Sequence, residues 1–257
     1  MSNITRQSGF RQQLHSGKPM LGTFIKTPSP IVGEILGASE LDAVCLDTEH
    51  APFGRLELDT CIQALRAADM PSLVRLPGMA PEYILNALDC GATGIVVPHV
   101  TSLEQARSIV RSAHFGRGGR GYAGSTRAAG FAGRAMQDHL RDSREATTVI
   151  VQIEDVEAVE AIDEIAQVDG VDCLFVGRID LTVALGAGSP NDPEVVAAVE
   201  TVCQAGRNAG KPVGMYVPKV SEARVWMDQG ASLFLLDSDQ GFIKRGAEDL
   251  RQAFDAV

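Results

Sequence analysis

Short apolar runs alternate with longer amphipathic ones along almost the whole chain. The runs at residues 21–25, 43–47, 72–76, 94–98, 149–154, 171–176, 212–216 and 232–236 are nearly continuous in apolar residues, the pattern of strands buried on both faces. Between them, residues 31–38, 55–68, 81–88, 103–113, 156–167, 193–208, 220–229 and 242–254 carry helical spacing, and residues 5–15 form a short helical lead. Gly37, Gly91, Gly170, Gly210 and Gly230 each close a helical stretch before a strand, where a left-handed C′ residue is easiest for glycine. About eight strands alternating with as many helices predict a parallel (β/α)8 TIM barrel, one domain over residues 1–257 with a short N-terminal helix. A doubly wound open sheet is the alternative, but no strand is followed directly by G-x-G-x-x-G.

Polar chemistry arrives abruptly where the apolar runs stop. Asp47, Glu49 and His50 follow Ala43-Val44-Cys45-Leu46, Arg75 follows Leu73-Val74, Gln152 and Glu154 end the fifth run, and Asp180 lies just past the sixth. Recurrence at strand ends predicts one site assembled from several strands at the carboxyl face of the barrel.

Composition narrows the partners. A formal net charge of −10 opposes a phosphate backbone, so nucleic acid is excluded as an expected partner. No stretch approaches the roughly 20 apolar residues that span a bilayer, and residues 1–20 lack a signal-peptide apolar core, so no membrane association and a cytoplasmic location are expected. The five cysteines have no C-x-x-C spacing and read as reduced core residues. The connection at residues 114–148 is unusually long. It carries Gly116-Arg117-Gly118-Gly119-Arg120-Gly121, and backbone N–H groups with Arg120 could bind phosphate or carboxylate there; a structured surface loop or subunit contact is the alternative.

The strand-end residues suggest specific chemistry. Glu154 and Asp180, at the ends of consecutive strands, can converge on a hard divalent cation such as Mg²⁺, with Mn²⁺ or Co²⁺ as substitutes; a buried polar pair and helix capping are the bland readings. Arg75 within a barrel strand needs an anion, met by a substrate carboxylate, by an internal pair with Glu49, or by both. Asp47 and Glu49 share a strand face, while His50 leans over the mouth; an aspartate holding the imidazole tautomer would make a usable acid/base. His99 is a weaker candidate for the same work. Lys26 ends the first strand and could form a Schiff base, but its Thr27-Pro28-Ser29-Pro30 surroundings look solvated.

Taken in order, Leu46-Asp47-Thr48-Glu49-His50-Ala51-Pro52, Val74-Arg75, Gly94-Ile95-Val96-Val97-Pro98, Val151-Gln152-Ile153-Glu154 and Phe175-Val176-Gly177-Arg178-Ile179-Asp180-Leu181 resemble the metal-dependent class II pyruvate aldolases of the HpcH/HpaI family. The resemblance implies a barrel whose last helix is exchanged between subunits, with dimers assembled into a hexamer. It implies that Glu154 and Asp180 hold the divalent metal and Arg75 the pyruvate carboxylate. Gln152 then orients the keto oxygen, Gly177 and Ile179 border the substrate, and Asp47 with His50 assists proton transfer. The implied reaction splits a 4-hydroxy-2-oxo acid into pyruvate and an aldehyde. Arg178 departs from the pattern, since many relatives carry proline there; it could recognise an acidic substrate or form a surface ion pair. Two other functions compete: a related carbon–carbon lyase acting on an acyl-CoA thioester, and a non-catalytic metabolite-binding barrel.

Overall fold

The fold is taken from a computed structural model, which describes residues 5–257. Eight parallel strands close a barrel in sequence order: β1 (Met20–Ile25), β2 (Ala43–Asp47), β3 (Ser72–Arg75), β4 (Gly94–Val97), β5 (Thr148–Ile153), β6 (Cys173–Val176), β7 (Val213–Tyr216) and β8 (Ala231–Ser238). Closure leaves no unpaired sheet edge, because β8 pairs with β1. The predicted helices appear as α1 (Arg6–His15), α2 (Pro30–Gly37), α3 (Arg55–Ala67), α4 (Pro81–Cys90) and α5 (Leu103–Ala113). The long connection then contributes α6 (Met136–Ala146). The single helix expected at 156–167 is broken into α7 (Val156–Glu160) and α8 (Ile162–Ala166). α9 (Arg178–Ala184), α10 (Pro193–Ala209), α11 (Val220–Asp228) and α12 (Asp239–Asp255) complete the chain.

Strand periodicity sorts the side chains into two cores. Val44, Leu46, Val74, Ile95, Val97, Val149, Val151 and Ile153 point outward and pack under the helices. Their neighbours Cys45, Leu73, Val96, Ile150, Cys173 and Phe175 point inward with Phe24, Leu233 and Leu235 and fill the barrel. Phe10 and Leu14 of α1 join this inner cluster and are fully buried, so α1 plugs the end where the strands begin. Thr5 caps α1 by accepting from the Ser8 backbone N–H, with Ser8 reciprocating.

Helix ends follow the glycine expectation at four of five places: Gly91, Gly170, Gly210 and Gly230 all have positive φ. Gly37 is the exception, the last residue of α2 rather than a left-handed cap. Space explains its identity, since a Cβ there would lie 2.6 Å from the Ala68 Cβ. All five cysteines are free, as expected, and four are fully enclosed in the cores. Among the described residues, no helix is long and apolar enough to cross a membrane.

Candidate active site

The inward parity of the strands decides which polar residues reach the mouth. On β2 the inward positions run Cys45, then Asp47; on β3, Leu73, then Arg75; on β5, Ile150, then Gln152, with Glu154 next in step. Asp47 and Arg75 are register partners on adjacent strands, so their side chains meet directly. Arg75 Nε donates to Asp47 Oδ1 at 3.1 Å and Nη2 to Oδ2 at 2.8 Å, a bidentate pair buried in the mouth. Burial alone would raise the Asp47 pKa, but the hydrogen bonds and charge of Arg75 outweigh it and hold the carboxyl below its usual range. Arg75 responds in kind: burial lowers its pKa, Asp47 raises it, and the net shift is upward.

Glu49 lies beyond the end of β2, off the strand on which it was expected to share a face with Asp47. Its Oε2 still comes within 3.4 Å of Arg75 Nε, so the internal pair anticipated for Arg75 forms. The expected contact of Asp47 with the imidazole does not. Asp47 Oδ1 instead accepts the backbone N–H of His50 at 3.1 Å, fixing the turn, while the ring extends outward with Nε2 3.7 Å from Glu49 Oε2. The ring is more than half exposed at the rim, within reach of whatever enters.

Glu154 occupies the floor on the β5 side. It is buried, its Oε1 accepts the backbone N–H of His99 at 2.9 Å, and its Oε2 accepts from Gln152 Nε2. Desolvation pushes its pKa up, and the charge of Asp180 adds to that shift, so the two carboxylates sense each other. Asp180 sits exposed in the first turn of α9 and takes no capping role. Gly177, at the N-cap of α9, is required by space: a Cβ there would fall 2.5 Å from Glu154 Oε2 and 2.8 Å from the Glu154 Cβ.

A cavity of about 400 Å³ opens at this mouth, lined among others by Phe24, Lys26, His50, Arg75, Gln152, Gly177, Ile179 and Asp180, with Glu154 behind its partner Gln152. Lys26 is therefore not left in solvent; its Nζ stands 3.5 Å from Asp47 Oδ2. Arg120 is not brought to this mouth. Its guanidinium stacks on Phe115 and donates to Ser143 of α6, buried beneath the long connection, and burial lowers its pKa to about 10. A larger cavity of about 830 Å³, lined by Arg11, His114 and Phe115 among others, lies by α1 and α6 at the opposite end. Arg178 does not point to solvent either: its fork is buried against Glu222 at 2.9 Å, Asn191 and the Pro190 carbonyl.

Reasoning from sequence undervalued His99. Its backbone is left-handed, φ 55°, which costs energy for a residue with a Cβ and turns its N–H onto Glu154. Its ring Nδ1 lies 3.0 Å from Asp155 Oδ2. Donor atoms of His99, Glu154 and Asp155 lie within 4.8 Å of one another and offer a second possible ligand set beside Glu154 and Asp180. Burial lowers the His99 pKa, but the hydrogen bond to Asp155 and the charges of Glu154, Asp155 and Glu49 raise it overall. A hard cation fits the oxygen-rich alternative, because Glu154 and Asp180 offer only oxygen donors and the buried Gln152 Oε1 beside Glu154 has no hydrogen-bond partner.

Comparison with known proteins gives the family. The family model described as HpcH/HpaI aldolase/citrate lyase matches residues 20–243. A 5-keto-4-deoxy-D-glucarate aldolase from Enterobacter sp. (strain 638) is 33% identical over 256 residues, 99% of both chains. A 4-hydroxy-2-oxo-heptane-1,7-dioate aldolase from Klebsiella pneumoniae is 33% identical, covering 96% of this chain and 94% of its own. The crystal structure of an HpcH/HpaI aldolase/citrate lyase family protein from Burkholderia cenocepacia J2315 superposes with a TM-score of 0.91 at 32% identity, covering 96% of this chain and 99% of the other. Relatedness over the whole length to named aldolases places the aldolase reading above the acyl-CoA and non-catalytic alternatives. The barrel, the family-model match and the full-length relatives together assign this chain to the HpcH/HpaI aldolase/citrate lyase family, as an aldolase and hence a carbon–carbon lyase.

Proposed function

We propose that this aldolase cleaves, or in reverse forms, 4-hydroxy-2-oxo acids, giving pyruvate and an aldehyde through a pyruvate enolate. The observation that carries the reading is the meeting of Arg75, Gln152, Asp180 and His50 around one cavity, with Glu154 hydrogen-bonded to Gln152 behind its wall. Glu154 and Asp180 would hold a divalent cation, Mg²⁺, Mn²⁺ or Co²⁺. When bound, such a cation supplies Lewis-acid polarisation to the keto group and lowers the cost of the enolate.

The chain's own residues do the rest. Arg75 presents what remains of its guanidinium to the substrate carboxylate, its position fixed by Asp47. Gln152 holds Glu154 through its amide N–H and keeps a buried carbonyl oxygen without a partner, and helps to orient the keto end. Gly177 keeps the floor open, and Ile179 forms an apolar lip. His50 takes the proton from the C4 hydroxyl during cleavage and returns it during condensation. Asp47 assists indirectly, by seating the His50 backbone and the Arg75 side chain.

The partners proposed are a 2-oxo acid, an aldehyde and further copies of the chain. α12 supports an exchanged last helix in a hexamer built from dimers: among its residues only Asp239 is buried, and Ile243, Leu250 and Phe254 are each about two-thirds exposed or more. A panel of 4-hydroxy-2-oxo acids, assayed for pyruvate release with divalent metal present, tests the proposal. Turnover supports it; no release from any member, or tight saturable binding of coenzyme A, would count against it.

A further inference from the structure

Four charged side chains meet on the β1 to β3 side of the mouth, and Arg75 alone does not balance them. Its Nε and Nη2 are both given to Asp47, and Glu49 Oε2 lies 3.4 Å from the same Nε. One guanidinium thus faces two carboxylates, and one of its edges is already used. A substrate carboxylate approaching Arg75 by itself would meet a group whose positive charge is outweighed.

Lys26 changes that balance. Its Nζ stands 3.5 Å from Asp47 Oδ2, the same oxygen that accepts Arg75 Nη2 at 2.8 Å, so the two cations flank one buried anion. At 3.5 Å the ammonium is well outside the roughly 2.7–2.9 Å of a charge-assisted hydrogen bond, which leaves its donors free for another oxygen. Its side chain is one-third exposed and lines the cavity, whereas that of Arg75 is one-tenth exposed. The strand end carrying it is pinned: buried Asp239, at the start of α12, accepts the backbone N–H groups of Lys26 at 2.7 Å and Thr27 at 3.1 Å. With Lys26 charged, the four groups sum to zero; without it they are net negative and repel an incoming carboxylate.

We infer that Lys26 is a second anion-recognition residue of the active site, gripping the carboxylate of the 2-oxo acid together with the free edge of Arg75. This assignment rests on the aldolase reading, but it can be measured without turnover because pyruvate, the proposed product, is itself the ligand. Lys26→Met should weaken pyruvate binding, followed by titration calorimetry on the intact protein, by about 10- to 100-fold, the worth of one hydrogen bond to a charged group. The KM for the 4-hydroxy-2-oxo acid should rise by a similar factor while kcat changes less than about threefold. Lys26→Arg should recover most of the affinity, since it restores the charge. Should Lys26→Met fold poorly, Lys26→Gln carries the same expectation.

Unchanged pyruvate affinity and KM in a folded neutral variant would overturn the inference, leaving Lys26 as a counter-ion of Asp47. A borohydride-trapped pyruvate adduct on Lys26 would also overturn it, by making the amine a nucleophile. Failure of the aldolase reading looks different: the wild-type protein would bind pyruvate, and Lys26→Met would weaken that binding, yet no 4-hydroxy-2-oxo acid would be cleaved.

Discussion

Adding a single methyl group at Gly177 should disable the site while leaving the barrel folded. The Cβ of Gly177→Ala would sit 2.5 Å from Glu154 Oε2, 2.8 Å from the Glu154 Cβ and 3.3 Å from Gln152 Nε2. Ordinary contact begins near 3.4 Å, so the Glu154 carboxylate must retreat by about 0.9 Å. It has little room, being buried and held from two sides by the His99 N–H and the Gln152 amide. A displacement near 1 Å at a reacting centre costs on the order of 100-fold in rate. Crowding of this kind destabilises a fold by about 1–3 kcal/mol, a fall of roughly 2–12 °C in melting temperature for a chain of this size. The assay is initial pyruvate release at saturating metal, with thermal melting followed by circular dichroism. Gly177→Ala should lose about two orders of magnitude in kcat/KM while still melting cooperatively. Wild-type kcat/KM in a folded Gly177→Ala protein would refute the claim that the Glu154 position is critical.

Two further outcomes follow from the mouth's geometry. His50→Ala should lose roughly 10²–10⁴-fold in aldol cleavage, the usual worth of general acid/base help, but less in oxaloacetate decarboxylation, which forms the same enolate without a hydroxyl proton to remove. Equal losses in both reactions would give the imidazole a broader organising role. Asp47→Asn removes one partner of a buried ion pair and should cost about 3–5 kcal/mol at pH 7, read by denaturant unfolding. Because Arg75 depresses the Asp47 pKa in the fold, that stabilisation is complete above the unfolded value of about 3.9 and fades as pH falls through the lower folded value. The stability gap between wild type and variant should therefore narrow only below about pH 4; a gap that closes near neutrality would falsify the coupling.

The barrel was readable because strand and helix periods differ, and burial on both faces leaves its mark as unbroken apolar runs. What escaped has physical causes. α6 is exposed nearly all round and buries only His139, so it has no apolar stripe to read. α9 has seven residues, too few for a periodic signal. Asp47, Arg75, Gln152 and Glu154 could be placed at one mouth because strand parity survives in sequence. Their partners could not, because partners depend on the turn after each strand. The turn after β2 carries Glu49 off the strand and swings the His50 ring away from Asp47. The left-handed backbone of His99 has no sequence signature in a residue other than glycine. Lys26 looked solvated because its neighbours in sequence are polar, whereas its true neighbour is Asp47, one strand away. Arg120 belongs to a connection that runs from a helix to a strand, which places it away from the carboxyl face where the site lies.

The central claim, metal-assisted formation of a pyruvate enolate on Glu154 and Asp180, is tested most directly by one titration. Protein stripped with a chelator and verified metal-free is assayed for pyruvate release from a 4-hydroxy-2-oxo acid before and after addition of Mg²⁺, Mn²⁺ or Co²⁺. The predicted result is loss of activity on stripping and saturable recovery on addition, with Glu154→Gln and Asp180→Asn recovering only at much higher metal concentration. Full activity in the metal-free protein, or identical metal dependence in both variants, would contradict the account.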